Sequence, residues 1–476
     1  MEKFVVHGGR KLNGEVTLSG SKNAVLPIMA ASLMAQGTTV LHSVPDLADV
    51  DTLGAVLCEL GLSVSRLDKT VDTTGHSSSL ELKLIDETSF QAPYDLVRRM
   101  RASICVLGPL LARRGRASVS LPGGCNLGHR PIELHLKGLR ALGADIQIQH
   151  GYVYAHATQL QGAHIFLGGP FGSTVTGTCN IMSAATLAKG TTILESAACE
   201  PEVVDLGNYL NAMGAKIRGL GTPRISIEGV DQLHGTQYHV IPDRIEAATL
   251  LIAAAIAGDQ VKLRQVPTEY LTAVLETLRE IGVSIELEKS FPGHASTSRT
   301  ESVFHDIRIQ SGSRLTATDI IALPYPGFPT DAQAQLTALL SLCEGISIVT
   351  DKVFPDRFMH ISELARLGAQ VRREGNHAII SGVRQFSGAS VMASDLRASA
   401  ALVLAGLAAE GTTSIRRIYH LDRGYDHLDE KLRALGASIE RVPDTTDTSQ
   451  STPFLRGPSW SRQKAKGTFP IQEESS

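Results

Sequence analysis

Residues 121–139, LPGGCNLGHRPIELHLKGL, hold the densest group of reactive side chains in the chain. Pro122, Gly123, Gly124 and Gly128 predict a mobile loop, and Pro131 suits the first turn of a helix. Cys125 then stands as an exposed thiol beside His129 and Arg130. A cysteine is ordinarily a small buried hydrophobe, and Cys58, Cys105, Cys179, Cys199 and Cys343 fit that use. Cys125 does not. Neighbouring cations lower a thiol from its ordinary pKa of about 8.5, while one that keeps its proton is able to donate it.

Three further groups point to an anionic substrate. In SGSKNA, residues 19–24, Ser21, Lys22 and Asn23 open an apolar helix. Its free N–H groups, its dipole and the ammonium make an anion site. A lone Ser-Lys pair in such a place is usually a cap next to a solvated amine. Arg101, Arg357, Arg397 and Arg423 all lie at loop-to-helix junctions beside apolar segments. Internal ion pairs would explain one or two of them. Together with Lys22 and Arg130 they indicate a ligand with more than one negative charge, because arginine grips phosphate and carboxylate bidentately. Asp331, in FPTDAQAQ, either caps a helix together with Thr330 or serves as a base among the arginines. No Walker A sequence, GxGxxG, HExxH or GxSxG is present, which removes the commonest nucleotide, metalloprotease and hydrolase readings.

The elements that must position these groups repeat. A helix-like stretch ending in a hydrophobe and a glycine recurs at Gly61, Gly143, Gly214, Gly282, Gly368 and Gly436. A helix of small residues closes at Gly37, Gly115, Gly190, Gly258, Gly345 and Gly411, always 23 to 28 residues earlier. Each unit therefore reads as two helices, each ended by a left-handed glycine and followed by a strand. The first helix, as in Ala398 to Ala409, is apolar all round and buried. The second, as in Leu428 to Leu435 with Asp429, Glu430, Lys431 and Arg433, is amphipathic and lies nearer solvent. Six units of about 70 residues exceed solenoid size and predict an α/β protein of two globular groups of three. Residues 286–306 are polar and read as an elongated hairpin or loop. Residues 443–476, rich in Pro, Ser and Thr, read as a disordered tail that begins where the sixth unit ends, near Val442.

Composition narrows the class. The 476 residues carry 45 Lys plus Arg against 48 Asp plus Glu, so nothing favours nucleic acid or an anionic membrane as partner. Apolar residues are 43% and aromatics 5%, which predicts cores of Ala, Val, Ile and Leu. Six cysteines without a CxxC pair indicate a reducing compartment rather than a disulfide framework or structural zinc. The start lacks a signal-peptide pattern, and Leu250 to Ala257 is too short to span a bilayer, so a cytoplasmic protein is expected.

SGSKNA, MRAS (100–103), the 121–139 segment, IPDRIEA (241–247), FPTDAQAQ, VFPDRFMH, DLRASA and YHLDRGY follow in one order. In these motifs, from about Phe4 to Val442, the chain resembles the UDP-N-acetylglucosamine enolpyruvyltransferases of the EPSP synthase family. The resemblance implies two domains of three βαβαββ units with the active site in the cleft between them. Residues 1–21 would join 239–442, and 22–238 would form the domain with the cysteine loop. It implies transfer of the enolpyruvyl group of phosphoenolpyruvate to the 3-hydroxyl of UDP-N-acetylglucosamine, releasing phosphate for cell-wall synthesis, with no metal or organic cofactor. It assigns Lys22, Arg130 and Arg423 to phosphoenolpyruvate, with Asn23 beside that lysine, and Cys125 as proton donor. Arg101, Arg130, Pro131, Glu133, Leu134, Asp331 and Val353 fall around the sugar nucleotide. Asp331 is also the base for the hydroxyl, and Arg357 and Arg397 are cleft arginines. Two departures stand out: residues 168–177 read GGPFGSTVTG in place of the uridine loop of many relatives, and Glu133 stands where some have Asp. The sister synthase that acts on shikimate 3-phosphate and an inactive UDP-sugar sensor are the alternatives.

Overall fold

A computed structural model of the chain describes residues 1–67, 78–121, 132–292, 303–312 and 314–444. Its frame is six four-stranded sheets, each laid against a pair of helices. One unit shows the plan. Strand Ile320–Ala322 runs parallel to Ile346–Asp351, with helix Thr330–Leu340 between them in sequence. Helix His360–Arg366 then leads to Gln370–Glu374, which pairs antiparallel with His377–Ser381, itself antiparallel to Ile346–Asp351. This is a βαβαββ unit.

The glycines that punctuate the units behave as their spacing predicts, with one exception. Eleven of the twelve have positive φ, where a Cβ would be strained. Gly258 differs: its φ is −76° and it begins the strand Gly258–Val266 directly after helix Arg244–Ala257.

Apolar residues gather into two cores. One runs from Ala24 to Val240; the other takes Phe4, Val6 and Leu12 and then Ala247 to Ile439. Each surrounds three central helices, Lys22–Ala31, Leu107–Arg114 and Val175–Ala185 in one lobe, and Arg244–Ala257, Thr330–Leu340 and Leu396–Ala408 in the other. In Arg244–Ala257 every residue except Ile256 is buried, which is why that helix shows no amphipathic stripe. The chain passes between the lobes twice, and each strand pairs within the lobe whose core it joins. Glu2–His7 lies between Thr412–Arg416 and Ser438–Pro443, and Leu12–Thr17 lies beside Gly258–Val266. Gln237–His239 returns to pair with Thr38–Val44 in the first lobe.

Two expectations change in detail, and a third, the elongated hairpin or loop, agrees with the strands described. Helix Leu428–Ala434 does not turn all its charges to solvent: Asp429 and Lys431 are buried, and Lys431 Nζ reaches Glu246 Oε1 at 2.5 Å and Ser19 Oγ at 2.6 Å. The polar 286–306 stretch contributes to an antiparallel pair, Ser284–Pro292 with Val303–Gln310; the residues between those strands lie outside the described set. The sixth unit ends at Asp444, not Val442. Pro443 pairs with Glu2, and Asp444 donates its backbone N–H to Met1 O and faces Lys3 at 3.7 Å and Arg416 at 3.4 Å. The tail proper, 445–476, lies outside the described residues. Truncation after Asp444 is therefore expected to leave melting temperature and turnover unchanged, whereas truncation after Val442 should lower the melting temperature by a few degrees. Differential scanning calorimetry on the two truncations checks this.

Candidate active site

The cleft between the lobes is built from helix starts. Ser21 caps helix Lys22–Ala31, its Oγ accepting from Ala24 N, so the ordinary reading holds for the serine. It fails for Lys22. That side chain is buried, and its Nζ lies 2.7 Å from Asp49 Oδ2. Asp49 Oδ1 in turn takes Arg423 Nε at 2.9 Å from the other lobe. Burial pushes the Asp49 carboxyl up, but Lys22 and Arg423 outweigh it and hold the group below the ordinary carboxylate range.

Asn23, the next residue, leads to a second ionic cluster. Its Nδ2 donates to Asp331 Oδ2 at 3.3 Å, also across the cleft. Asp331 meets Arg357 Nη1 at 2.7 Å through Oδ1 and Arg397 Nη2 at 2.9 Å through Oδ2. Capping is not its role, because Pro329 occupies the N-cap position and Thr330 Oγ1 donates to Asp351 Oδ2. Burial raises the Asp331 carboxyl, yet Arg397 and Arg357 hold it well below the usual range, so it stays ionised. Arg397 is only 2% exposed and lies over the Tyr425 ring at 5.1 Å. The Tyr425 hydroxyl is fixed by Thr249 Oγ1 at 2.9 Å and by Gln335 Nε2 at 2.8 Å. Asp351 completes this wall: it accepts from Val353 N and Phe354 N and so sets the backbone at Val353.

The first lobe supplies the opposite wall. Arg101 begins the short helix Arg101–Val106, and Glu133 and Leu134 lie in the first turn of helix Glu133–Ala141. Leu134 packs against Gly169, where an added Cβ would stand 3.1 Å from its Cδ1. The departure at 168–177 thus forms a small hairpin, Gly168–Gly169 with Gly172–Ser173, beside Leu134, and it reaches Pro324 of the other lobe. His135 locks the helices behind: its Nδ1 accepts from Asn180 Nδ2 at 3.1 Å, and Asn180 also donates to Ile104 O. Burial and the Arg101 charge push the imidazole down to about 3, so it is neutral.

Cys125, Arg130 and Pro131 lie outside the described residues. The remaining site residues fall into the two ionic clusters and the two walls. Asp49, His135, Gln335 and Tyr425 carried no local signal as site residues; Asp49 reads in PDLADVD as one of several acids at a helix start. Of the other cysteines, Cys105, Cys179 and Cys343 are buried, while Cys58 and Cys199 are only half-buried, contrary to expectation. Among the described residues, no group of three His, Cys, Asp or Glu is placed to hold a metal, and no helix is long and apolar enough to cross a membrane.

Two three-unit lobes with charged groups from both meeting in the cleft define an enolpyruvyltransferase-type fold, and the comparisons agree. The family model described as EPSP synthase (3-phosphoshikimate 1-carboxyvinyltransferase) matches residues 6–432, and the chain belongs to this family. Within it, the chain is 51% identical over 442 residues to UDP-N-acetylglucosamine 1-carboxyvinyltransferase of Methylacidiphilum infernorum, covering 93% of this chain and 99% of that one. The protein of the same name from Myxococcus xanthus is 50% identical over 446 residues, again with 93% and 99% covered. Among solved structures, the enolpyruvyl transferase NikO from Streptomyces tendae superposes with TM-score 0.79 at 25% identity, over 93% of this chain and 99% of that one. EPSP synthase from Acinetobacter baumannii shares the fold with TM-score 0.68 at 21% identity, over 93% and 100%.

Proposed function

We propose that this protein transfers the enolpyruvyl group of phosphoenolpyruvate to the 3-hydroxyl of UDP-N-acetylglucosamine, releasing phosphate, in the first committed step of peptidoglycan synthesis. The observation that supports the reading is the convergence in the cleft of two ionic clusters that each span the lobes, Lys22 and Arg423 around Asp49, and Asp331 with Arg357 and Arg397, joined through Asn23. Relatives at about half identity over nearly their whole length bear the corresponding name. Residues 1–21 with 239–444, and 22–238, act as the two domains that close on the substrates, and the reaction takes place in the cytoplasm.

The chemistry is assigned as follows. Lys22, Arg130 and Arg423 bind the phosphate and carboxylate of phosphoenolpyruvate. Arg101, Pro131, Glu133, Leu134 and Val353 surround the sugar nucleotide. A proton from Cys125 adds to the methylene carbon, and C2 gains oxocarbenium character. The sugar oxygen bonds to C2 while Asp331 takes its proton. A carboxylate held so far below neutrality is a weak base, yet it is ionised and ready, and the hydroxyl grows acidic as the C–O bond forms. Loss of a methyl proton and of phosphate then restores the double bond. The cations stabilise the departing charge. The epoxide fosfomycin, a small phosphonate, alkylates Cys125 in this reading.

A phosphate-release assay tests the whole reading. Turnover is expected with phosphoenolpyruvate and UDP-N-acetylglucosamine together, and none when shikimate 3-phosphate replaces the sugar nucleotide. Binding of both substrates without phosphate release would identify an inactive sensor instead.

A further inference from the structure

We propose that Asp49 is a positioning residue for the phosphate of phosphoenolpyruvate, a bridge that holds one cation from each lobe at the spacing the phosphate needs. The inference rests on the function proposed above. Its basis is one carboxylate with two partners: Oδ2 takes Lys22 Nζ at 2.7 Å and Oδ1 takes Arg423 Nε at 2.9 Å. Lys22 packs with the first core and Arg423 follows Leu421 of the second, so the bridge spans the lobes. The Asp49 side chain is 5% exposed and sits in the first turn of helix Ala48–Glu59, which Val50, Leu53 and Leu57 pin into the first core. The same two segments meet again three and four residues away, where Asp46 Oδ2 faces His427 Nε2 at 3.5 Å. Asp49 thus comes from a rigid element, while Lys22 and Arg423 are long side chains with much rotamer freedom to lose.

An ammonium has three N–H donors and a guanidinium five, so both cations are able to keep Asp49 and still hold phosphate oxygens. Deleting the negative charge would at first sight strengthen anion binding. That gain is not realised, because a buried Lys22 without its counter-charge swings toward solvent, and the link to Arg423 is gone. Positioning outweighs bare charge.

Steady-state kinetics with both substrates varied, plus inhibition by inorganic phosphate, tests this. For Asp49→Asn, the KM for phosphoenolpyruvate and the inhibition constant for phosphate are both expected to rise at least about tenfold, with the KM for UDP-N-acetylglucosamine changed less than about twofold. Asp49→Glu keeps the charge but shifts it by one methylene, and should give a smaller rise of about threefold with the same selectivity. If Asp49→Asn is unfolded by circular dichroism, Asp49→Glu carries the test. A phosphoenolpyruvate KM that is unchanged, falls, or rises in step with the sugar-nucleotide KM overturns the proposal. Wild type that fails to turn over the two substrates overturns the functional reading instead.

Discussion

Cys125→Asp is expected to retain substantial phosphate-release activity, greatest at mildly acidic pH, and to be indifferent to fosfomycin. Two properties of this residue are separable. As an acid it needs only a transferable proton, which a carboxylic acid also supplies; an ordinary aspartate has a pKa of about 3.9, so its protonated fraction and its activity grow as pH falls. As a nucleophile it needs sulfur, which the aspartate lacks. Cys125→Ser has a far weaker acid and should lose at least about a hundredfold in turnover. Intact mass spectrometry after fosfomycin treatment should find one adduct on wild type and none on Cys125→Asp. Four of the five other thiols are poor competitors: burial pushes Cys105 and Cys343 up to about 12, burial and nearby Cys105 raise Cys179, and burial and Glu200 raise Cys199. Thiolate, the reactive form, is scarce on all four. An adduct on any of the other five cysteines, or full activity in Cys125→Ser, would overturn the assignment of Cys125.

Asp331→Asn should bind both substrates and turn them over at least about a hundred times more slowly. The amide is nearly isosteric but takes no proton, and it leaves Arg357 and Arg397 without their shared counter-charge. The wild-type pH profile adds a check. Because the arginines hold the Asp331 carboxyl well below its ordinary value, its proton acceptor is fully present above about pH 4 and produces no acid limb in kcat nearer neutrality. For stability the sign is the same. A folded-state pKa below the unfolded one stabilises above the unfolded value, and that contribution fades as pH falls through the folded one. Wild-type turnover in Asp331→Asn would show that the carboxylate takes no part in proton transfer.

Much of this site is visible in the sequence because its groups sit at helix starts, where local rules are strong. Ser21 caps as a serine before an apolar helix should, and the glycine rhythm marks nearly every helix end. Gly258 escapes because its helix passes straight into a strand, which calls for extended backbone in place of a left-handed turn. Lys431 and Asp429 escape for another reason. An amphipathic pattern reports polarity alone, and an ion pair, Lys431 with Glu246 and Asp429 with Arg433, lets a charged side chain be buried.

Sequence alone determined the six-unit rhythm, the all-apolar central helices, the family motifs and the candidate residues at their junctions. These follow from burial and backbone conformation over a few neighbouring residues, which periodicity and glycine placement record. The tertiary structure decided the partnerships. Asp49 and Arg423 are 374 residues apart, and Asn23 and Asp331 are 308 apart. No local pattern says that those carboxylates face those cations. Their ionisation, and with it the polarity of the cleft, is set by Coulomb interactions that fall off within a few ångströms and exist only once the two lobes have brought helix starts together.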